Sequence, residues 1–191
     1  RYHALDSFVY EYINAGGMKD NLKIEINYML RCHVLPVSRR TACLPWTSQT
    51  LTVLSVDPME IFAAKTVALL NRAAPRDLYD MFNMWKFGLF DEIQESLFKK
   101  CVMFYSAIAS EKVPEEFDLK GFENISLHKI KTDLTPVLRR GERFDLANVQ
   151  KQVKTYLSDI LKPKDAELAF WRAFADGKYQ PELLFEDPDI L

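Results

Sequence analysis

The segment from 58 to 71 has apolar residues on nearly every side of a predicted helix, which is typical of a helix at the centre of a fold. Its start is well marked, because Asp57 is a predicted N-cap, Pro58 takes the first helical position and Glu60 completes a capping box. Lys65 lies in the middle of this apolar helix. Because a buried ammonium without a partner is costly, the sequence predicts that Lys65 has an anionic partner or a path to water.

Two regions before this helix have the period of two that is typical of β-strands. From 22 to 31 apolar and polar residues alternate, so that Lys23 and Glu25 share the polar face of the predicted strand. A second strand is predicted from 49 to 56, and 34–37 is a further candidate. Glu25 is therefore either a solvent-facing residue of an edge strand or a functional carboxylate.

The N-terminal segment has a helical period instead. Its apolar residues recur every three or four positions, as in an amphipathic helix, at Leu5, Phe8, Val9, Tyr12 and Ile13. Gly16 and Gly17 then end the pattern. We therefore expect a helix ahead of the first strand.

The rest of the chain is predicted to be helical. Helices bounded by capping residues, glycine or proline are predicted at 76–87, 91–110, 125–134, 147–161 and 164–175. The chain has 191 residues, of which 48% are apolar and 13% aromatic, enough for a substantial core. The sequence thus predicts an α+β fold that is mainly α, with a helix and short strands in region 1–57 and a helical region 58–191 packed on it.

Composition argues against several classes of protein. A formal net charge of −2 gives no general affinity for nucleic acids, so any such contact must be local. Cys32, Cys43 and Cys101 lack a Cys-x-x-Cys spacing, and with only three histidines a zinc site is not indicated.

No apolar stretch approaches the ~20 residues that span a bilayer. We expect a soluble, cytoplasmic protein, and the absence of an initiator Met leads us to expect a larger parent protein.

A charged motif opens the helix that follows the central one. It reads Arg76-Asp77-Leu78-Tyr79-Asp80. Asp77 and Asp80 share one helix face, and Arg76 and Asp80 are an i,i+4 pair. Acids in a first helical turn are favoured by the helix dipole, so a solvated ion pair is one interpretation. The other is that Lys65 and Asp77 converge at one cleft.

These elements, in this order, resemble the later motifs of the AbiEii family of nucleotidyltransferase-like toxins from bacterial phage-defence (abortive infection) and toxin–antitoxin systems. The matching segments are Lys23-Ile24-Glu25-Ile26, the apolar helix with Lys65, the motif Arg76 to Asp80, and the C-terminal stretch Tyr179 to Phe185. The family's opening motif, a Gly-Ser turn followed by an Asp-x-Asp or Asp-x-Glu pair of metal ligands, does not occur in these 191 residues. The resemblance implies a partial nucleotidyltransferase-like sheet followed by a large, bundle-like helical portion.

The resemblance also implies an activity: transfer of a nucleoside monophosphate from an NTP to an acceptor such as tRNA, with two Mg²⁺ ions and a separately encoded antitoxin. By analogy, Glu25 is a catalytic residue and metal ligand, Lys65 holds the triphosphate, and Asp77 orders the site or transfers a proton. The residues implied to bind substrate beside Lys65 are Lys23, Arg76 and Asp80. Without the opening motif, we expect the isolated chain to be inactive and a longer parent protein to be active.

Two further hypotheses stay open. The interval 129–154 has seven Lys and Arg against three acids, so it either meets an RNA backbone or is the solvated face of helices. The alternative to an enzyme is a non-catalytic helical interaction domain, for partner docking or as a degenerate nucleotidyltransferase. In that case, replacing Lys65 or Asp77 alters folding or partner binding and no chemical activity.

Overall fold

The computed structural model describes residues 4–28, 32–42, 48–110 and 112–186. The chain forms two compact units, 1–33 and 34–191. Within the described residues, six α-helices of very different lengths accompany two small antiparallel sheets, which confirms the predicted mainly helical α+β class. The predicted division at 57 and 58 stays a prediction about domains.

The first unit is a β-hairpin. Strand β1 (Leu5–Ile13) pairs antiparallel with strand β2 (Lys19–Asn27), with Phe8 opposite Ile24. Gly17 has a φ of 76° in the connecting turn, a conformation that glycine adopts without strain. The predicted helix at 5–13 is therefore wrong, because this segment is rich in the aromatic and β-branched residues that favour strands and pairs along its length with β2.

The second unit begins with another hairpin. Strand β3 (Ser38–Ala42) pairs antiparallel with strand β4 (Leu51–Ser55), which confirms the strand predicted at 49–56. The candidate strand at 34–37 is wrong, since the chain bends there and β3 begins immediately afterwards. Arg40 of β3 forms a 2.9 Å ion pair with Asp57, which connects this sheet to the first long helix.

The helices of the second unit lie close to the predicted positions. They are α1 (Pro58–Arg72), α2 (Pro75–Lys86), α3 (Glu92–Ala109), α4 (Leu127–Lys129), α5 (Leu146–Ile160) and α6 (Asp165–Ala175). Helix α4 continues as a π-turn over Ile130–Leu134. The cap predicted at Asp91 is confirmed as a full capping box with Gln94, and Asp145 caps α5. Single 3₁₀ turns occur at Gly121–Asn124, Thr135–Val137 and Pro181–Leu183.

The start of α1 differs from the prediction at one residue. Asp57 is the N-cap and accepts a 2.8 Å bond from a backbone N–H of the first turn. The Glu60 carboxylate, only 1% exposed, accepts instead from the backbone N–H groups of Val34 and Leu35, at 2.7 and 3.1 Å. The Tyr105 hydroxyl donates to the same carboxylate. The capping role predicted for Glu60 is thus wrong, because donors distant in sequence have taken its oxygens.

Helix α3, and not α1, is the most deeply buried element of the second unit. Nearly every side chain from Phe98 to Ala107 is buried, whereas Ile61 of α1 is 40% exposed. Lys99 of α3 forms a buried 2.9 Å ion pair with Glu167 of α6. The hydrophobic core therefore surrounds α3, with α1 as one of its walls. In the described part of the chain, no helix combines the length and apolar character needed to cross a membrane.

Candidate functional site

Lys65 is paired with a carboxylate of the charged motif. Its Nζ donates to Oδ2 of Asp80, across the groove between α1 and α2. The two side chains are 39% and 34% exposed, so the pair is half-buried and open to solvent on one side. The prediction that Lys65 has an anionic partner or a path to water is confirmed, and the structure shows both. A solvent-accessible ammonium held at one position is suited to receiving a phosphate oxygen.

Asp77 has a different partner, which the sequence did not reveal. Arg72 donates from Nε to Oδ2 at 2.7 Å and from Nη2 to Oδ1 at 2.9 Å, so the pair is two-pronged. The Asp77 side chain is 6% exposed, while that of Arg72 is 66% exposed. These hydrogen bonds and the charge of Asp77 raise the pKa of Arg72. Lys65 and Asp77 were expected to converge at one cleft. The structure gives them different partners, Asp80 and Arg72.

Both ion pairs connect the same two helices, α1 and α2, which form a helical hairpin. Lys65 and Arg72 are seven residues apart and share a face of α1, about two turns from each other. The chain reverses at Ala73, whose φ of 49° ends α1 in the left-handed conformation. Pro75 then starts α2. The two helices are antiparallel. Asp77 near the turn therefore meets Arg72, and Asp80 one turn further along α2 meets Lys65.

The regular spacing of Lys65 and Arg72 on α1, followed by two acids after a short turn, was the available signal for Arg72. A cation seven residues after Lys65 must lie on the same helix face, near the turn. Asp77 opens α2 just beyond that turn. Spacing within α2 gives no sign of a partner on α1, so the pairing of Asp77 with Arg72 was not predicted.

Arg76 does not pair with Asp80, although the spacing allows it. Its Nε donates to the backbone carbonyl oxygen of Asp133 at 2.8 Å. The i,i+4 ion pair, one of the two interpretations of the motif, is therefore not formed between these residues, because Lys65 pairs with Asp80 and the π-turn at Ile130–Leu134 offers Arg76 a carbonyl. Arg76 is exposed and fastens the motif helix to this π-turn.

The other predicted site residues lie in the first unit. On β2, Lys23 and Glu25 form a 2.7 Å ion pair with each other, and both are exposed. They share the polar face of the strand, as predicted, and Glu11 with Lys19 forms a similar pair elsewhere on the same hairpin. Lys65, Arg76, Asp77 and Asp80 belong to the second unit.

A magnesium site of the predicted kind needs several oxygen ligands. Within residues 4–28, 32–42, 48–110 and 112–186, no three His, Cys, Asp or Glu side chains are grouped so as to hold a metal ion. Glu25 alone, already paired with Lys23, does not constitute such a site. The described residues therefore do not fit a two-metal centre by themselves.

The cations of the basic interval from 129 to 154 differ in their partners. Lys154 is neutralised by a 2.7 Å ion pair with Glu123. Arg139 and Arg140 are exposed on a turn that Gly141, at a φ of 86°, closes. The interval thus contains both an ion-paired lysine, Lys154, and two exposed arginines, Arg139 and Arg140.

Comparison with known proteins gives a family and nothing closer. No curated protein and no solved structure matches the chain. The family model described as nucleotidyl transferase AbiEii toxin, type IV toxin–antitoxin system, matches residues 5–176, which include the β1–β2 hairpin and both ion pairs of the α1–α2 hairpin. The match does not reach the stretch Tyr179 to Phe185. Over residues 5–176 the resemblance stated from the motifs is confirmed, and the chain belongs to the AbiEii family of nucleotidyl transferase toxins of type IV toxin–antitoxin systems.

Proposed function

We propose that this chain carries the phosphate-binding part of a nucleotidyltransferase that moves a nucleoside monophosphate from an NTP to an acceptor. The observation that carries the proposal is the half-buried Lys65–Asp80 pair, which lies in the segment matched by the family. A solvent-open lysine with one carboxylate partner can exchange that partner for a triphosphate oxygen. We propose tRNA as the acceptor and a separately encoded antitoxin as the partner, in line with the family.

The proposed roles follow from the two ion pairs between α1 and α2. Lys65 binds the triphosphate, and Asp80 holds its ammonium in place until the nucleotide arrives. Arg72 holds the Asp77 carboxylate in place through two hydrogen bonds, so that Asp77 orders the site. Arg76 positions the motif helix through its bond to Asp133. Positioning of this kind is the larger part of phosphoryl-transfer catalysis, since the protein has little covalent chemistry to do.

Lys23 and Glu25 enter the proposal as a substrate ligand and a metal ligand of the first unit. The family's chemistry calls for Mg²⁺, and the described carboxylates do not complete a site for it. The opening motif that would supply further carboxylates is not among the 191 residues. We therefore propose that the isolated chain does not transfer nucleotides and that a form carrying that motif does.

A non-catalytic interaction domain is the second candidate, and one observation favours it. Asp77 is almost fully buried and has both oxygens bonded to Arg72, as in an ion pair whose role is structural. In that case Lys65 and Asp77 hold the helical hairpin together and do no chemistry. The two candidates make opposite predictions for the same substitutions.

The test is transfer of label from each of the four radiolabelled NTPs to a tRNA pool with Mg²⁺, by a form of the protein extended to include the opening motif. Lys65→Gln and Asp77→Asn, which keep side-chain size, are compared with Lys151→Gln and Asp159→Asn on the exposed face of α5. We expect label on RNA that is lost in the first two variants and kept in the last two. Absence of transfer by the folded extended protein would favour the interaction-domain alternative. Full activity of Lys65→Gln would remove Lys65 from the proposed site.

A further inference from the structure

A cleft of about 560 Å³ lies beside the C-terminal half of α2. One wall is a stripe of the helix, formed by Tyr79, Asn83 and Lys86 at i, i+4 and i+7. The opposite wall is the turn from 139 to 142, and Phe87 lies at the end of the helix. Tyr79 belongs to the Arg-Asp-Leu-Tyr-Asp motif, so the cleft begins within the family's own signature.

The lining of the cleft carries an excess of positive charge. Lys86, Arg139 and Arg140 face a single carboxylate, Glu142. That carboxylate accepts a 2.7 Å hydrogen bond from the Tyr79 hydroxyl. Among the residues that the structure describes, no carboxylate lies within ion-pair distance of either arginine. Neither guanidinium group of the lining therefore has an ion-paired carboxylate among the described residues.

An aromatic ring lies beside Lys86 in the lining of the same cleft. Phe87 is 73% exposed, although most phenylalanines of this chain lie in the core or against it. Lys86 Nζ lies 5.6 Å from the centre of the Phe87 ring and 5.7 Å from that of Phe82. An exposed ring next to unpaired cations is the combination that binds nucleotides, through stacking on the base and charge on the phosphate.

We infer that this cleft binds a phosphate ester, with Arg139 and Arg140 as the phosphate ligands and Phe87 as the surface on which a base stacks. Arginine suits this task, because its planar fork matches two phosphate oxygens. The ligand class rests on the proposed function, since both substrates of that reaction, an NTP and a polynucleotide acceptor, bring phosphate esters. The cleft is distinct from the Lys65–Asp80 pair, which lies in the groove between α1 and α2.

The test measures binding by the 191-residue chain, with no catalysis required. The cleft variant is Arg139→Gln with Arg140→Gln, and the matched control is Lys131→Gln with Lys151→Gln, which removes two exposed charges from the same basic interval outside the cleft. The probes are a fluorescent single-stranded RNA, ATP and inorganic pyrophosphate. We expect the cleft variant to bind RNA, ATP or both on the order of tenfold more weakly than the control does at moderate salt.

The probes separate the two sources of phosphate. Weaker RNA binding with unchanged ATP and pyrophosphate assigns the cleft to a polynucleotide backbone, and the reverse pattern assigns it to the NTP. Loss of both means that the cleft is shared. Phe87→Leu should weaken ATP or RNA and leave pyrophosphate unchanged.

Equal losses in the cleft variant and the control, or no binding of any probe by the unaltered chain, would overturn the inference. The two tests fail separately. If the extended protein still transfers nucleotides and binds the probes unchanged after Arg139 and Arg140 are replaced, the proposed function stands and the cleft has no part in it. A chain that binds through the cleft and transfers nothing in extended form retains the cleft without the proposed function.

Discussion

Arg72 and Asp77 form a two-pronged ion pair across the turn that joins α1 to α2, with N···O distances of 2.7 and 2.9 Å. The carboxylate is buried and the arginine is largely exposed. Asp77 therefore depends on a side chain that water can reach. Arg72 donates a hydrogen bond to each carboxylate oxygen of Asp77 and is its charged partner.

Replacing Arg72 by Gln should destabilise the protein more than replacing Arg76 by Gln. The first change leaves a buried carboxylate without its charged donors, at a cost of about 2 kcal/mol in the free energy of unfolding. The second removes an exposed bond to a backbone carbonyl and should cost less than about 1 kcal/mol. Urea denaturation of both variants measures the difference. Equal losses would contradict a special dependence of Asp77 on Arg72.

Lys65 and Asp80 should have opposite effects on nucleotide affinity in the extended protein. Lys65→Gln removes the proposed phosphate ligand and should weaken ATP binding on the order of tenfold. Asp80→Asn removes the carboxylate that competes for the ammonium, so ATP should bind several-fold more tightly while the transfer rate falls. Titration calorimetry and transfer rates measure the two effects. Asp159→Asn, whose carboxylate is exposed on α5, is the control and should change neither quantity.

The outcome for Asp80 is the sharper one. If Asp80→Asn leaves ATP affinity unchanged and lowers only the free energy of unfolding, the pair is structural. Because both side chains are partly exposed, the stability loss from either substitution should stay below about 1 kcal/mol.

Glu25 and Glu11 offer a matched comparison on one hairpin. Each is an exposed carboxylate paired with a lysine, at 2.7 Å for Glu25 and 2.9 Å for Glu11. Glu25→Gln and Glu11→Gln should each change stability by less than about 0.5 kcal/mol. Only Glu25→Gln should reduce Mg²⁺-dependent transfer by the extended protein. Equal activity of the two variants would remove Glu25 from the metal site.

Glu60 and Tyr105 should be strongly coupled. Glu60→Gln replaces one acceptor oxygen by an NH₂ group that meets backbone or hydroxyl donors, and should cost about 2–3 kcal/mol. Tyr105→Phe removes one donor and should cost about 1–2 kcal/mol. A double-mutant cycle measures the coupling, which should exceed about 0.5 kcal/mol because the side chains share a hydrogen bond. Additive losses would show that the bond contributes nothing.

Cys101 should make stability fall at high pH. Burial, with the nearby charges of Glu60 and Asp57 as smaller causes, raises the pKa of its thiol from 9.0 to about 12. The unfolded thiol ionises first, so its contribution is complete below about pH 9 and is lost as the pH rises toward 12. Between about pH 9 and pH 10.5 the unaltered chain should lose about 2 kcal/mol more than Cys101→Ala does.

Denaturation curves at the two pH values measure this difference. Cys32→Ala is the control, because Cys32 is exposed. It should keep the pH dependence of the unaltered chain. A thiol reagent should also label Cys32 and leave Cys101 unmodified in the folded protein at neutral pH. Rapid labelling of Cys101 would contradict its burial.

The sequence was sufficient for the long helices of the second unit, because their signals are local. Asp57, Asp91 and Asp145 cap helices where predicted, and proline starts α1. The family also followed from local motifs in a fixed order. The first strand was not predicted, because the spacing of Phe8, Val9 and Tyr12 fits a helix although their residue types favour a strand. Pairing with β2 decided between them.

The partners of the charged residues were decided by tertiary structure. Spacing offered Asp80 to Arg76, yet the reversal of the chain at Ala73 brought Lys65 to Asp80 and Arg72 to Asp77. The cleft at Arg139 and Phe87 likewise joins segments that are distant in the chain. Local sequence determines helix formation because hydrogen bonds and caps act over about four residues. An ion pair depends on distance in space, which only the packed helices fix.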